Sequence, residues 1–530
     1  MSLEKKNTFF GFHRGIFYAF IFLLSFPLFK LSFLLTHDGP AHIFNACLIR
    51  ELVNGNTLVS DFLYLKNFPE PNWTGHLIIA FLSYFFHPNI AEKIFLGAYI
   101  FLFPFFFRKL LQKVNSNNGA IVLLVLPFVY SYFFFGGLYN FLAGATVLFA
   151  SLSIILPQFE KGVNKKYIWI SVFSILLYFS HLIALGIFLV MIFLSHLFSF
   201  RKENYHERRS NFIIFLRSSI PLLLSLLPSL VLLTIFFSEK KFLSSHGSSF
   251  SISEMVEALI YILPIITLQH YPENIYSVII FVLLISLTCG WAINRFLKRA
   301  THTISSKPFY QWSSYWFTAS LLMLLFFFLI PDKAASGGVI KFRFEFFFFL
   351  FLIVFISTIP FNRIIHLGIA IIIVPWMIFK FIYLFPMMKS LDDETKTAML
   401  CTDYIRENSI LLPLNYSSNW MHCNLFNYAG TVKNIFVLDN YEAGMPHFPL
   451  EWKKGKNPVV IMGNFNIEPP PLCADIHAFE KQTGHLIDYI VVWDYQPLTD
   501  TCTLTIQSVI SSSYHLIYNK DERMKLYERN

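Results

Sequence analysis

About eleven apolar stretches, each near the length of a bilayer crossing, run from Gly15 to Pro386, and lysines and arginines gather in alternate connections between them. A helix needs about 20 apolar residues to cross a hydrocarbon core of about 30 Å. The expected fold is therefore a polytopic α-helical membrane protein, with its charges confined to loops, interfaces or a functional cavity. Composition agrees: 14% of residues are charged and mean hydropathy is +0.55, where soluble domains carry about 25% charge. The net charge of +9 raises the question of a polyanionic partner. The basic residues flank the spans instead of forming one face, so cytoplasmic anchoring explains them and no nucleic-acid partner is expected.

Charge bias orders the crossings. The N-terminus, with Lys5, Lys6 and Arg14, is cytoplasmic, and the first span (about 15–36) lacks a small-residue cleavage site, so it is expected to stay as a signal anchor. An outer loop follows to about residue 90. Within it Trp73–His87 is apolar but short, and reads as a helix lying in the interface. Span 2 ends at Arg108, Lys109 and Lys113; spans 3 and 4 turn outside at Gly136-Gly137; spans 5 and 6 share Ile168–Phe200, barely long enough for two crossings, with His181 at the tip. Spans 7 and 8 flank an outer loop, Ser238–Asn274, that holds a second interfacial or re-entrant helix, Met255–Leu268. Spans 9 to 11 place Pro331–Gly338 and the chain beyond Pro386 outside. Every strongly basic loop then lies on one side.

From about Lys389 the composition changes: Asp, Asn, Lys and Pro return, with short β-like runs at Val459–Met462 and Tyr489–Trp493 and a breaker at Pro469-Pro470-Pro471. The expected domains are a transmembrane part, 1–388, and an extracytoplasmic α+β domain, 389–530. Cys401, Cys423, Cys473 and Cys502 allow two disulfides or free buried thiols, and without a C-x-x-C pair no zinc site is read from them.

The chemistry-bearing residues lie in the outer loops. Asp38, in His37-Asp38-Gly39-Pro40-Ala41-His42, follows an apolar run and so sits at the membrane boundary. Pro40 suits a first helical turn, and Ala41–Val53 reads as an amphipathic helix stopped by Asn54-Gly55. Asp38 either caps this helix or acts as a base at the rim of an apolar cavity. His42, one turn on, would orient it or share a proton or metal. A second cluster, Asp332, Lys333, Gly337, Gly338, Lys341, Arg343 and Glu345, precedes span 10. In an extended Ile340–Glu345, Lys341, Arg343 and Glu345 share a side, where Lys341 and Arg343 either hold a phosphate or snorkel to headgroups. His181, Asn140 and His270, with Tyr271 and Glu273, are further candidate cavity residues. No P-loop, dinucleotide fingerprint, H-E-x-x-H or serine nucleophile elbow is present.

At these residues the chain resembles the GT-C superfamily of integral membrane glycosyltransferases, which includes protein O-mannosyltransferases and the aminoarabinose transferase of lipid A. Asp38 matches that family's first-loop catalytic acid, the helices Pro40–Val53 and Trp73–His87 its two interfacial elements, His181 a polar position between central spans, and Lys341 and Arg343 its lipid-phosphate cations. The Asp38-Gly39-Pro40 form departs from the family's more usual acidic pair. The resemblance implies inverting transfer of a sugar from a polyprenyl-phosphate donor to a glycan, lipid or protein acceptor outside a bacterial inner (plasma) membrane, with Asp38 as base. A divalent cation, Mg or Mn, is left open as cofactor, with no ligand residues assigned. The competing readings are a lipid or glycan transporter or flippase, and a non-catalytic assembly subunit.

Overall fold

Among the described residues of the computed structural model, seven helices are long and apolar enough to cross a membrane: Pro88–Val114, Tyr139–Phe159, Leu182–Phe200, Ile213–Ser238, Glu273–Ile293, Trp312–Leu329 and Arg363–Tyr404. Most of Ile213–Ser238 and Glu273–Ile293 faces outward, with only 22% and 17% of the window buried. Leu223, Leu224, Val231, Ile279 and Val282 thus form surface that hydrocarbon covers without cost. The chain is a helical membrane protein. The structure describes the backbone except at residues 1–2, 68–69, 117–118, 161–163, 204–211, 240–249, 269–271, 301–308, 334–336, 464, 466–472 and 496–500, and also leaves out the side chains of 3–12, 160, 201–203, 212, 239, 294–300, 309–311 and 501–503.

Two expected spans, the third and the fifth, differ in form. Residues Gly119–Phe128 make a 3₁₀ helix, all buried, followed by the short helix Tyr132–Phe135, in place of one regular crossing. The 5/6 pair is Lys166–Ser180 and Leu182–Glu203, broken at His181. The first of these has 15 residues and is about 22 Å long, short of a full hydrocarbon core.

The described residues form two compact units, one of Met1–Phe26, Ala98–Phe134 and Phe141–Leu384, the other of Pro27–Gly97, Phe135–Asn140 and Phe385–Asn530. In the first, a buried lysine joins three elements. Lys380 Nζ donates to the carbonyls of Tyr130 and Ile265 and lies 3.6 Å from Glu273, whose carboxylate accepts from the Thr267 backbone and hydroxyl.

In the second unit the first loop and the tail fold together. The strands are β1 (Leu63–Leu65), β2 (Ile410–Asn415), β3 (Phe436–Val437), β4 (Leu450–Trp452), β5 (Tyr489–Trp493), β6 (Tyr514–Lys520) and β7 (Met524–Arg529). Loop strand β1 pairs antiparallel with tail strand β4, Leu63 opposite Trp452. The others form one mixed sheet, ordered β3-β2-β5-β7-β6, in which β2 runs parallel to β3 and β5. Strand β5 is buried at every residue, and β2 at all but its last. Such continuous apolar strands need cover on both faces. The run Val459–Met462, expected as β-like, is a short helix, because Asn457 accepts from the Val459 amide and Pro458 sets the first turn. Cys401 and Cys423, expected as disulfide candidates, are thiols outside any disulfide, whereas Cys473 is disulfide-bonded. Pro469-Pro470-Pro471 lies outside the described residues.

The helix Gly39–Val53 is buried from Gly39 to Ile49, not laid in an interface as the resemblance implied, because the helix Thr74–Leu82 and the tail's Leu425–Tyr428 turn cover it. Thr74–Leu82 does show two faces. It buries Gly75, His76, Ile79 and Ala80, while Leu77, Ile78 and Phe81 are exposed, as an interfacial helix requires. Ile252–Tyr261 repeats the pattern, burying Met255 and Ala258 and exposing Ile252, Val256 and Ile260.

Phe62 centres the loop-to-tail core. It is fully buried and stacks on Phe436 (ring centroids 4.8 Å) and Phe479 (6.0 Å). Phe62→Ala is expected to cost about 3–5 kcal/mol, read as a lowered unfolding midpoint of the detergent-purified chain. Val460→Ala, at a surface position, should change it by no more than about 0.5 kcal/mol.

Candidate functional site

Thr36, not Asp38, serves the start of the Gly39–Val53 helix. Its Oγ1 accepts from the Gly39 amide at 3.1 Å and lies 3.2 Å from the Tyr139 hydroxyl. Pro40 brings no N–H of its own to satisfy. Asp38 occupies the N-cap position in helical geometry with no side-chain capping bond. Its carboxylate turns instead to the tail, where Oδ1 accepts from Asn424 Nδ2 at 3.3 Å and the Tyr441 hydroxyl donates to it. His37 Nε2 is 3.8 Å away, and the Asp38 side chain is 18% exposed. Burial raises the Asp38 carboxyl above the usual carboxylate range, with His37, His42 and the Tyr441 bond opposing and Glu442 adding to the rise.

The Gly136-Gly137 turn fixes this stretch from behind. The amides of His37 and Asp38 donate to the carbonyls of Phe135 (2.8 Å) and Gly136 (3.3 Å). Gly137 has φ +72°, and a Cβ there would stand 2.5 Å from the Gly39 amide nitrogen. Only glycine meets both conditions.

One turn beyond Asp38, His42 enters a second cluster. Its Nδ1 contacts Glu442 Oε1 and is 3.3 Å from His76 Nε2, which lies 2.8 Å from Glu442 Oε2. All three residues are buried. Burial alone would push Glu442 up, yet the two imidazoles outweigh it and bring the carboxyl down to about 2. Burial alone would push His42 down, yet Glu442 and, less strongly, Asp38 and Glu92 raise it. His76 Nδ1 is 3.2 Å from the Asn72 carbonyl, and Asn140 Oδ1 accepts from the Gly75 amide at 2.7 Å. Asn140 thus holds the start of the helix that carries His76. Behind the cluster the buried Glu92 carboxylate accepts from the hydroxyls of Tyr139 (2.5 Å) and Tyr428 (3.2 Å).

In the first unit, Ile340–Ser357 is a helix, so the expected extended geometry of Ile340–Glu345 does not form. At about 100° per residue, Lys341 and Glu345 share a side and Arg343 lies off it. Lys341 Nζ donates to the carbonyls of Phe327 (2.9 Å) and Phe328 (3.2 Å) near the end of the preceding helix, where a cation is favourable. Asp332 Oδ1 accepts from the Lys341 amide at 3.0 Å, and Lys333 is exposed. The Arg343 guanidinium lies 5.5 Å from the Phe141 ring centroid, and the His181 ring packs on that same phenylalanine at 5.3 Å. His181 Nδ1 also accepts from the Ile183 amide at 3.2 Å. His270 and Tyr271 lie outside the described residues.

The structure therefore brings together Asp38, His42 and Asn140, and separately Arg343 and His181. Sequence reasoning missed His76, Asn424, Tyr441 and Glu442. His76 carried one signal, as a single titratable group on a short apolar helix. Glu442 lay in the polar run Asp439–Glu442, which has no periodicity to mark it.

Gly137→Ala is expected to cost about 1–3 kcal/mol in strain and to displace Asp38, read as a lowered unfolding midpoint with Gly15→Ala, a site with open space around it, as the neutral control. No protein-family model matches the chain, and no curated protein matches it either.

Proposed function

We propose that the chain is an integral membrane glycosyltransferase that moves a sugar from a polyprenyl-phosphate donor to a hydroxyl of a glycan, lipid or protein acceptor, on the extracytoplasmic face of a bacterial inner membrane. The observation that carries this reading is the Asp38 carboxylate, which begins a helix without capping it and is held by Asn424 and Tyr441 while still partly exposed. A carboxylate oriented in that way suits a general base. The disulfide at Cys473 supports an oxidising compartment for the tail.

In the reaction the acceptor oxygen attacks the anomeric carbon while its proton passes to Asp38. The bond from that carbon to the phosphate oxygen breaks, and polyprenyl phosphate departs with the bonding electrons. One displacement inverts the anomeric centre. The departing phosphate is a weak base, so it needs charge stabilisation and no proton donor. With the Lys341 ammonium already given to helix carbonyls, Arg343 is assigned to that phosphate, which a guanidinium can grip with two N–H groups.

A transporter is the second reading, and one observation favours it. Glu345 is fully buried in an apolar helix and, among the described residues, its carboxyl meets no charged partner and only the Leu263 backbone bonds to it, and buried carboxyls of this kind mark ion or proton pathways.

Asp38→Asn is expected to lower transfer of labelled sugar from polyprenyl phosphate by about 10²–10⁴-fold, with expression and gel-filtration behaviour unchanged. Full activity in that variant would remove the base assignment. Arg343→Ala is expected to raise the donor KM at least tenfold while leaving the acceptor KM in place; equal effects on both would return Arg343 to a packing role. Donor translocation across proteoliposomes without transfer, lost in Glu345→Gln, would favour the transporter.

A further inference from the structure

We propose that His42, His76 and Glu442 form a zinc site that fastens the tail to the two helices of the first loop. This does not depend on the transferase reading. Each ligand comes from a different segment: the helix Gly39–Val53, the helix Thr74–Leu82, and the tail's Glu442–Gly444 turn. One donor atom from each lies within 4.8 Å of the others. His76 Nε2 lies 3.3 Å from His42 Nδ1 and 2.8 Å from Glu442 Oε2, separations that an ion about 2.0–2.2 Å from every ligand spans.

Three further observations favour an ion over a plain charge cluster. His76 Nδ1 lies 3.2 Å from the Asn72 carbonyl. A proton held there leaves the Nε2 lone pair free to face Glu442, which is how ligating histidines are commonly oriented. Glu442 is fully buried, and each of its oxygens faces an imidazole nitrogen, Oε1 that of His42 and Oε2 that of His76, so both histidines and the carboxylate converge on one point. Asn140 supports the arrangement from outside by holding the Gly75 amide.

The donor set selects the metal. Two imidazoles and a carboxylate suit zinc. Magnesium prefers an all-oxygen shell, and manganese stands lowest among the first-row divalent ions in affinity. Mg or Mn, left open above, therefore fits these residues less well than zinc. Three protein ligands leave a fourth position for water.

The test uses the full chain, purified in detergent, stripped with a chelator and titrated with zinc, magnesium or manganese. Elemental analysis should find about one zinc per chain, with zinc bound at least tenfold more tightly than magnesium or manganese, and zinc should raise the unfolding midpoint by several degrees. Cobalt in place of zinc should give visible absorption of tetrahedral intensity. His76→Ala and Glu442→Gln should each weaken zinc at least tenfold, which is the lower end of what losing even a supporting group costs. Wild-type chain that binds no zinc, or variants that retain it undiminished, would overturn the site. The wild-type zinc content and cobalt spectrum decide the matter even if a variant fails to fold, and neither measures sugar transfer.

Discussion

A carboxylate removed from water must be given charge or hydrogen bonds, because an uncompensated buried charge is among the costliest features a fold can carry. Glu442 is fully buried and answered by two imidazoles. Around it the second compact unit takes its form. His42 anchors the helix that begins at Asp38, His76 anchors the interfacial helix, and Tyr441, next in the chain to Glu442, reaches the Asp38 carboxylate. Removing the tail would therefore take away both the cover of the Gly39–Val53 helix and the groups that orient Asp38.

Close backbone approach is the second condition. Gly137 lies against the Asp38–Gly39 backbone, and a Cβ on Gly39 itself would stand 2.1 Å from Thr36 Oγ1 and 2.3 Å from the Tyr139 hydroxyl. Gly430 in the tail meets Phe44 in the same way, with a virtual Cβ 2.2 Å from its ring. Each contact brings a backbone nearer than any side chain would permit. The hydroxyl of Tyr139 can then reach both Thr36 and Glu92.

Much of the membrane part was legible because lipid imposes a simple rule on composition. Long apolar runs became long helices, the break at His181 appeared where two short crossings had to turn, and the two short apolar segments became helices with one exposed apolar face. Local chemistry misled at two places. The alternation in Ile340–Glu345 allowed an extended segment with its charges on one side, but the apolar run that follows continues back through it as one helix. Val459–Met462 is rich in β-branched residues, yet the Asn457-Pro458 pair starts a helix there. The site was legible only in its local half. Asp38 and His42 stand one turn apart, whereas Glu442 lies 366 residues from His76, and no spacing rule reports a cluster assembled across such a distance.

That distance bears on how the protein is made. Asn45 and Asn440 exchange side-chain hydrogen bonds at 3.0 and 2.9 Å although 395 residues separate them. At about 5–20 residues per second of synthesis, roughly 20 to 80 s pass between the emergence of the first asparagine and that of its mate. For nearly all of that interval the buried helix of the first loop lacks its cover from the tail. Maturation of this region thus waits until the segment around Asn440 has been made, and a nascent chain stalled before it would present apolar helix surface and unpaired histidines to the quality-control machinery of its compartment.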